Sequence, residues 1–395
     1  MKQQVRPFWM IGKQFHYLEE IIFSSSNRAF LSFCAIILII KSGIWVIPCI
    51  DVYRQISLAP FDSPPFINNQ MAHYLFTSWL QPFIGWGLHL NTPIRYLALS
   101  LFFSILFTCL FALISFKSLG REAARKSLLF FISLPVGATS LYWVGYDGLT
   151  LLLMLLALSG LKDNRRLSLC TSLCIGILLG LQHFEQAILG FLLLLSYSLF
   201  GEESDGPLPP KRSFLTRLII LVAGITLGKL VLGAIINVND IPLNSGRSVY
   251  LIVNIKQQLR EFLLRFQVIV FSFLGVVWIP AIAAFLVSRK KFYWLATFIF
   301  VLGLSAVVPD QTRVVAIVTF PVVFMALLDN RNLLARLNRP MVVCLAVLYL
   351  IVPYSWVWNG NPQVSSFPYS LLLIQAAFRG INIDPSIWHP LPFIK

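Results

Sequence analysis

Six clusters of Lys and Arg interrupt this chain of 395 residues, and two apolar runs separate each cluster from the next. The clusters are Lys2–Arg28, Lys117–Lys126, Lys162–Arg166, Lys211–Arg217, Arg289–Lys291 and Arg331–Arg339. In polytopic membrane proteins, loops rich in Lys and Arg stay on the cytoplasmic side. The alternation therefore predicts a membrane-spanning protein and also its orientation.

The composition agrees with an integral membrane domain. The chain is 57% hydrophobic and 12% charged, whereas an average soluble domain is about 25% charged. We predict a cytoplasmic interfacial segment at 1–28, a transmembrane domain at 29–357 and an outer tail at 358–395. The formal charge of +15 is dispersed over loops, where anionic membrane lipids and insertion topology explain it. A nucleic-acid partner is not indicated.

We predict an all-α bundle of about eleven spans, with the N-terminus inside and the C-terminus outside. The predicted spans are 29–50, 96–116, 127–144, 148–161, 167–182, 186–200, 218–237, 267–288, 292–308, 314–328 and 340–357. Three of them, 148–161, 186–200 and 314–328, are short for a hydrocarbon core of about 30 Å. They need residues from the outer connections to reach across, or they stop short beside a cavity.

Three outer segments are too long to be simple turns: 51–95, 238–266 and the tail 358–395. The stretch from His73 to Leu90 is apolar enough to cross the membrane. A crossing there would invert all later spans and place five basic clusters outside, so we predict a surface or re-entrant helix instead. The segment 238–266 predicts an amphipathic helix.

Acidic residues occupy the connections that alternate with the basic clusters and are therefore predicted to lie on the outer side. Asp51 closes the first predicted span, and Asp62 follows in the outer loop. A carboxylate in a partly desolvated outer cavity can have a raised pKa, suited to deprotonating a hydroxyl. The alternative for Asp51 is a topological stop. Asp147 follows three aromatic residues and opens a span, so it could cap the helix or contribute to a sugar or lipid-headgroup site.

Two further outer connections carry charged residues. Asp310 and Arg313 stand at i and i+3 where a span begins, so they could form an interfacial ion pair. Arg313 is also suited to gripping a phosphate through its planar fork of donors. His183 and Glu185 lie in another tight connection, where their cost of insertion indicates that they face a cavity. For His183 we favour a hydrogen-bonding role over metal ligation.

Two lysines, Lys41 and Lys229, fall inside apolar runs. Intramembrane lysines are functional candidates by default. Each could contact a lipid-linked phosphate, pair with a carboxylate or be structural, and the sequence does not choose among these roles.

This layout resembles the GT-C superfamily of integral-membrane glycosyltransferases, which use polyprenyl-phosphate-linked sugars. Asp51 ends the first predicted span before a long outer loop, and Asp147 opens a span in Tyr-Asp-Gly-Leu-Thr-Leu. His183-Phe-Glu185 opens a later span, and Asp310-Gln-Thr-Arg313 is similar to the late Asp-x-x-Arg turn of several bacterial members. The likeness covers roughly residues 29–330, and each motif is short.

The resemblance implies an inverting glycosyltransferase that moves a sugar from a polyprenyl-phosphate donor to an acceptor hydroxyl. The acceptor would be a glycan, lipid or protein in cell-surface glycan or glycolipid synthesis. The site would lie on the outer face of the plasma membrane, the inner membrane of a bacterium. Asp51 would be the catalytic base, and Arg313, with Arg247 or Arg260, would hold the donor phosphate beside Asp310 and Asp147. No cofactor is required, although paired carboxylates leave room for a divalent cation.

Two rival functions stay open. A polymerase or ligase of lipid-linked glycans would use several arginines, and the loop 238–266 supplies Arg247, Arg260 and Arg265. A transporter or lipid flippase would carry ionisable residues along the whole membrane depth. In this sequence they concentrate at span ends, with Lys41 and Lys229 as the exceptions.

Overall fold

The structure is a computed structural model that describes residues 16–44, 47, 50–62, 75–162, 168–200, 211–241, 247–288, 290–328, 334, 337–352, 354–358 and 361–364. Within these ranges the chain is helical, apart from one antiparallel β hairpin formed by β1 (Tyr354–Trp358) and β2 (Asn361–Val364).

The helices fall into two groups along the chain. Those before residue 163 are α1 (His16–Ser24), α2 (Asn27–Ser42), α3 (Ile50–Leu58), α4 (Leu80–Gly87), α5 (Pro93–Leu119), α6 (Arg121–Ser133), α7 (Pro135–Tyr142) and α8 (Asp147–Lys162). Those after it are α9 (Ser168–Phe200), α10 (Lys211–Val238), α11 (Arg247–Leu264), α12 (Phe266–Leu274), α13 (Trp278–Val287), α14 (Lys291–Val307), α15 (Gln311–Leu328) and α16 (Arg339–Ile351).

Five helical segments are long and apolar enough to cross a bilayer, which supports an integral membrane protein. They are Pro93–Leu119, Leu169–Phe200, Arg212–Val238, Phe266–Val287 and Gln311–Leu328. The pair α1 and α2, bent by 120°, would make a sixth. The other apolar helices have fewer than the roughly 20 residues that a span needs. The count of eleven spans and the orientation therefore stay predictions.

Aromatic side chains hold α5, α6 and α15 together in the middle of the bundle. The ring of Phe107 on α5 lies 5.4 Å from Phe320, and that of Phe111 lies 6.3 Å from Phe324. Phe111 also stacks on Phe131 of α6, with 3.9 Å between ring centroids. Because residue numbers rise together along both helices, α5 and α15 run parallel.

The first half of α9 lies in backbone contact with α10 through glycines spaced four residues apart. A Cβ atom added at Gly180 would be 2.8 Å from Cα of Gly228, and one added at Gly224 would be 3.1 Å from Cα of Gly176. Small residues at this spacing let membrane helices approach closely. The pairing 176 with 224 and 180 with 228 means that the two segments run parallel.

The chain reverses direction inside α9, at His183, whose φ of −160° and ψ of 78° are not helical. Before this break, Gln182 donates a hydrogen bond to the carbonyl of Tyr146, so it lies at the beginning of α8. After it, Gly190 packs against Val318 and Pro321, well along α15. The second half therefore runs back beside α15, so the segment Leu169–Phe200 has the length and composition of a single span but is turned back at His183. The two separate spans 167–182 and 186–200 stay a prediction.

The predicted first span, 29–50, extends too far. Helix α2 ends at Ser42, because Gly43 adopts a φ of 68° and its N–H bonds back to the carbonyl of Ile39. A separate short helix, α3, begins at Ile50. Asp51 consequently lies in the first turn of α3 and does not close a span, so that part of the prediction is wrong.

Two other predicted spans also differ from the structure. The span 127–144 is divided at Leu134, which is extended (φ −90°, ψ 149°) before Pro135, since a residue that precedes proline disfavours the helical region. The span 340–357 ends at Ile351, and β1 takes its last residues. Val352 is extended for the same reason, because Pro353 follows it in the sequence.

The outer segment 51–95 contains two helices, α3 and α4, that are too short to cross. Helices α3 and α4 have 9 and 8 residues, or about 12–14 Å each. Over 50–62 and 75–92 the chain therefore contains no helix that could span about 30 Å of hydrocarbon; residues 63–74 lie outside the described ranges. The segment 238–266 contains α11, an 18-residue helix. In the tail 358–395, only Trp358 and β2 are described.

Candidate functional site

Three charged side chains meet in a buried ion triad formed by Asp147, Asp310 and Arg313. Nη1 of Arg313 lies 3.4 Å from Oδ2 of Asp147, and its Nε lies 2.5 Å from Oδ2 of Asp310. The exposed fraction of each side chain is 7% or less. Buried charges persist in proteins when they are paired, and the triad satisfies this condition with one cation between two carboxylates.

Local sequence explains how the triad forms. Asp147 is the first residue of α8, where a carboxylate is favoured by the helix dipole. The next residue, Gly148, lies so close to α5 that an added Cβ would be 2.5 Å from the hydroxyl of Ser104. Asp310 immediately precedes α15, and Arg313 lies within its first turn. The i, i+3 spacing places both on one side of that helix.

Aromatic rings surround the cation of the triad. The guanidinium of Arg313 lies 5.6 Å from the ring centroid of Trp143 and 5.2 Å from that of Tyr146, both within cation–π range. Tyr146 in turn contacts Tyr53 of α3 at 5.0 Å and His183 at 5.6 Å between ring centroids. The rings exclude water, which strengthens electrostatic interactions inside the site.

The β hairpin, which lies near the C-terminal end of the described residues, covers the triad. The backbone N–H of Val357 donates to Oγ1 of Thr312 at 2.9 Å, and that hydroxyl donates to Oγ of Ser272 at 2.7 Å. Trp356 is buried and stacks on Tyr142 at 4.5 Å. These contacts bring β1 and α12 together at the beginning of α15. Residues 354–357 are predicted as the end of the span 340–357, so a strand that covers the triad is not expected from the sequence.

A second indole reaches the same place but stays partly exposed. The ring of Trp358 meets that of Trp143 edge to face, with 5.1 Å between centroids, and 36% of Trp358 is accessible. Since Trp143 also lies against Arg313, the two indoles connect the buried triad with the surface.

Hydrogen bonds of Gln81 and Gln182 connect α4 to the region around the triad. The backbone N–H of Gln81 donates to Oε1 of Gln182 at 3.0 Å, and its side-chain amide donates to Ser100 at 2.7 Å and to the carbonyl of Gly145 at 3.3 Å. Gln182 also donates to the carbonyl of Tyr146 at 3.0 Å. Both side chains are buried. Gln81 carried no signal in the sequence beyond a polar residue in an apolar stretch.

Asp310 has the electrostatic character of a base that works near neutral pH. Burial raises the pKa of its carboxyl to about 7, Arg313 opposes the rise and Asp147 adds to it. Its Oδ1 atom has no hydrogen-bond partner among the residues that the structure describes. Asp310 therefore offers an unused acceptor oxygen within the triad.

Asp51 lies outside the triad, on the solvent side of α3. Its carboxylate accepts hydrogen bonds from Arg54 at 2.8 Å and Gln55 at 2.6 Å, and 54% of the side chain is exposed. The hydrogen bond from Arg54 is the largest of the causes that lower the pKa of Asp51. Tyr53, two residues along the helix, is the side chain that faces Tyr146.

His183, Glu185 and Lys229 form a separate group at the break in α9. Nζ of Lys229 lies 3.5 Å from Oε1 of Glu185, and Nδ1 of His183 lies 3.7 Å from the other carboxylate oxygen. Lys229 also lies 5.5 Å from the ring centroid of Phe184. Glu185 and Lys229 are about one-third exposed, whereas His183 is buried. Tyr146, whose ring lies 5.6 Å from that of His183 and 5.2 Å from the guanidinium of Arg313, connects this group with the triad.

The remaining candidates are not brought into the triad by any described contact. Lys41 is buried, donates to the carbonyl of Val352 and lies 5.2 Å from the ring of Tyr349. Asp62 and Arg260 are exposed. The side chain of Arg247 lies outside the described residues. In the described part of the chain, no three His, Cys, Asp or Glu residues are grouped so as to hold a metal ion.

No family model matches the chain, and no curated protein or solved structure is significantly similar to it. The likeness to the GT-C superfamily therefore rests on the short motifs of the sequence alone. Function has to be argued from the triad and its surroundings.

Proposed function

We propose that the protein is a membrane glycosyltransferase that transfers a sugar from a polyprenyl-phosphate donor to an acceptor hydroxyl at the membrane face bearing the triad. The observation that carries the proposal is the placement of an acceptor oxygen on Asp310 beside the cation of Arg313, under aromatic side chains. Glycosyl transfer with inversion needs a base and a cation for the leaving phosphate, and the triad supplies both.

In the proposed step, the acceptor hydroxyl gives its proton to Oδ1 of Asp310 while its oxygen attacks the anomeric carbon. The bond between that carbon and the phosphate oxygen breaks, and its electron pair leaves with polyprenyl phosphate. Asp310 becomes neutral as the phosphate gains a negative charge. Once Asp310 is neutral, Arg313 no longer forms an ion pair with it. The guanidinium can then stabilise the negative charge that develops on the leaving phosphate.

The geometry favours Asp310 over Asp51 as the base. A base must be able to accept a proton near the working pH. Asp51 is exposed, and its hydrogen bonds from Arg54 and Gln55 stabilise the charged form. Asp147 would hold Arg313 in place through the contact between its Oδ2 and Nη1 of the arginine. The aromatic side chains Trp143 and Trp358 provide apolar faces of the kind that pack against sugar rings.

A transporter is the second candidate, and one observation favours it. Helix α9 is interrupted at His183, and interrupted helices with ionisable residues at the break occur at the substrate sites of transporters. Glu185 and Lys229 lie at this break. The triad, however, is buried at the start of α8 and α15 rather than strung along the membrane depth.

The proposal is tested by sugar transfer in membrane vesicles that contain the full-length protein. Radiolabelled polyprenyl-phosphate hexoses and pentoses are supplied, and label in the endogenous acceptor is measured. Asp310→Asn should reduce transfer by about 100-fold or more, and Arg313→Lys should also reduce it because the planar fork is lost. Asp240→Asn, which removes a carboxylate from an exposed turn, is the matched control.

The result against the proposal is equally defined. If wild-type vesicles transfer no sugar from any of these donors, the protein is not a glycosyltransferase of this class. If Asp310→Asn transfers sugar as well as the wild type at equal abundance, the base lies elsewhere.

A further inference from the structure

A large apolar cleft lies between the second half of α9 and the first half of α14, away from the triad. Its volume is about 660 Å³, within the range of about 300–1,000 Å³ that is typical of ligand cavities. Representative residues of its wall are Leu192, Leu193 and Ser196 from α9, and Tyr293, Ala296 and Phe300 from α14.

The cleft extends towards the end of the bundle opposite to the triad. From His183, next to Tyr146, the second half of α9 runs away from the site, and the cleft begins only at Leu189. Near its far end, Tyr197 packs against Tyr293 and Trp294, with ring centroids 5.8 and 6.0 Å apart. Tyr and Trp are enriched at the headgroup level of membranes.

Two exposed lysines stand at this end of the cleft. Lys290 lines the cavity, and Lys291 is the first residue of α14. Both side chains are exposed, and no described acidic residue forms an ion pair with either of them. Positive charge next to a cleft between membrane helices attracts anionic lipid headgroups.

We propose that this cleft binds one anionic phospholipid of the leaflet on its own side, with an acyl chain against Ala296 and the headgroup phosphate at Lys290 and Lys291. The apolar wall accounts for the chain, the lysines account for the charge, and the hydroxyl of Ser196 lies within the wall. The site is separate from the triad and does not depend on glycosyl transfer.

The experiment uses the full-length protein in vesicles with a photoactivatable phosphatidylglycerol that carries a diazirine in its acyl chain. Cross-links are located by peptide mass spectrometry. We expect labelling to concentrate on the peptides with Leu192 and Ala296, and to fall severalfold when phosphatidylcholine carries the diazirine. Ala296→Trp, which fills the cleft, should abolish this labelling, whereas Ala283→Trp, on the exposed face of α13, should not.

The lysines are tested in the same assay. Lys290→Gln and Lys291→Gln should each lower the preference for phosphatidylglycerol by about fivefold. Lys117→Gln, an exposed lysine at the end of α5, is the control and should leave the preference unchanged. Equal labelling by both phospholipids, labelling that survives Ala296→Trp, or displacement of the probe by polyprenyl phosphate but not by phosphatidylglycerol would each overturn the proposal.

Discussion

Arg313 and Asp147 are 166 positions apart in the chain, yet Nη1 of the arginine lies 3.4 Å from Oδ2 of the aspartate. Their side chains are only 6% and 1% exposed. A buried charge that loses its partner is strongly destabilising. The contact therefore fixes the start of α8 against the start of α15, and it determines where the other parts of the site can lie.

Asp147→Asn should lower the free energy of unfolding by about 3 kcal/mol, at the lower end of the range for a broken buried ion pair. The loss is limited because Asp310 still contacts Arg313. Denaturant unfolding in detergent measures it. The double variant Asp147→Asn/Arg313→Gln should lose less stability than the sum of the losses in the two single variants, since the residues share one interaction. Simple additivity would contradict the ion pair.

Asp310→Asn should remove a pH dependence of sugar transfer. Because burial raises the pKa of Asp310 to about 7, the wild-type rate should fall as the pH drops below this value and the base becomes protonated. The raised pKa also makes the free energy of unfolding depend on pH, in the direction opposite to that of the rate. The stabilising contribution of Asp310 is present below the pKa of the unfolded state and is lost as the pH rises through about 7. Rate and unfolding profiles from pH 5 to 9 check both. A wild-type rate that is flat across pH 7 would exclude this assignment.

Asp51→Asn should change transfer by less than about threefold. The carboxylate is half-exposed and paired with Arg54, and exposed ion pairs contribute about 0–1 kcal/mol. Tyr53→Ala is the informative neighbour, because Tyr53 packs against Tyr146 and its loss should impair the site. Loss of transfer in Asp51→Asn at normal protein abundance would restore Asp51 as the base that the family resemblance implies.

Gly228→Ala should destabilise the bundle by about 2 kcal/mol, within the range for overpacking. An added Cβ would be 2.2 Å from the carbonyl oxygen of Ile177, so α9 and α10 would have to separate. Gly233→Ala on the same helix is the control, because nothing lies within 4 Å of its Cβ. Thermal unfolding in detergent should show a loss for the first variant and none for the second. Equal midpoints would mean that the glycines are not needed for close packing.

Glu122 should contribute to stability in a pH-dependent manner. Hydrogen bonds from Arg339 and, to a lesser extent, Lys126 lower the pKa of Glu122 to about 2. A depressed carboxyl pKa gives stability that is present above the unfolded value, near 4.5, and is lost as the pH falls towards 2. Glu122→Gln should therefore flatten the unfolding midpoint between pH 5 and 2.5, whereas Asp240→Asn should not. An unchanged slope would show that the ion pair between α6 and α16 is not formed.

All three members of the triad are candidate site residues on the sequence alone. Asp147, Asp310 and Arg313 were noticeable because polar residues in tight connections between apolar runs are costly. The alternation of basic and acidic connections predicts that they lie on one membrane face, and the i, i+3 spacing predicts the pair of Asp310 and Arg313. The link between Asp147 and Arg313 is a tertiary contact, and no local pattern specifies it.

Other parts could not be derived in this way. The hydrophobic period of 340–357 does not separate a helix from a helix followed by a strand, since Trp and Val suit both a span and a strand. Helices α2 and α6 end because Gly43 and Leu134 adopt non-helical backbone angles. In the sequence, the glycine itself and Pro135 are the indications of these two helix ends. The end of α2 at Gly43 also separates Asp51 from the span that it is predicted to close, and places it on the separate helix α3.

The distance along the chain between the triad's two segments also has a consequence for biogenesis. At about 5–20 residues per second, roughly 8–30 seconds of synthesis separate Asp147 from Arg313, and the covering strand with Val357 is made later still. During that interval Asp147 is present without the cation that it contacts in the finished protein. The contact that joins the start of α8 to the start of α15 can therefore form only after synthesis has passed Arg313.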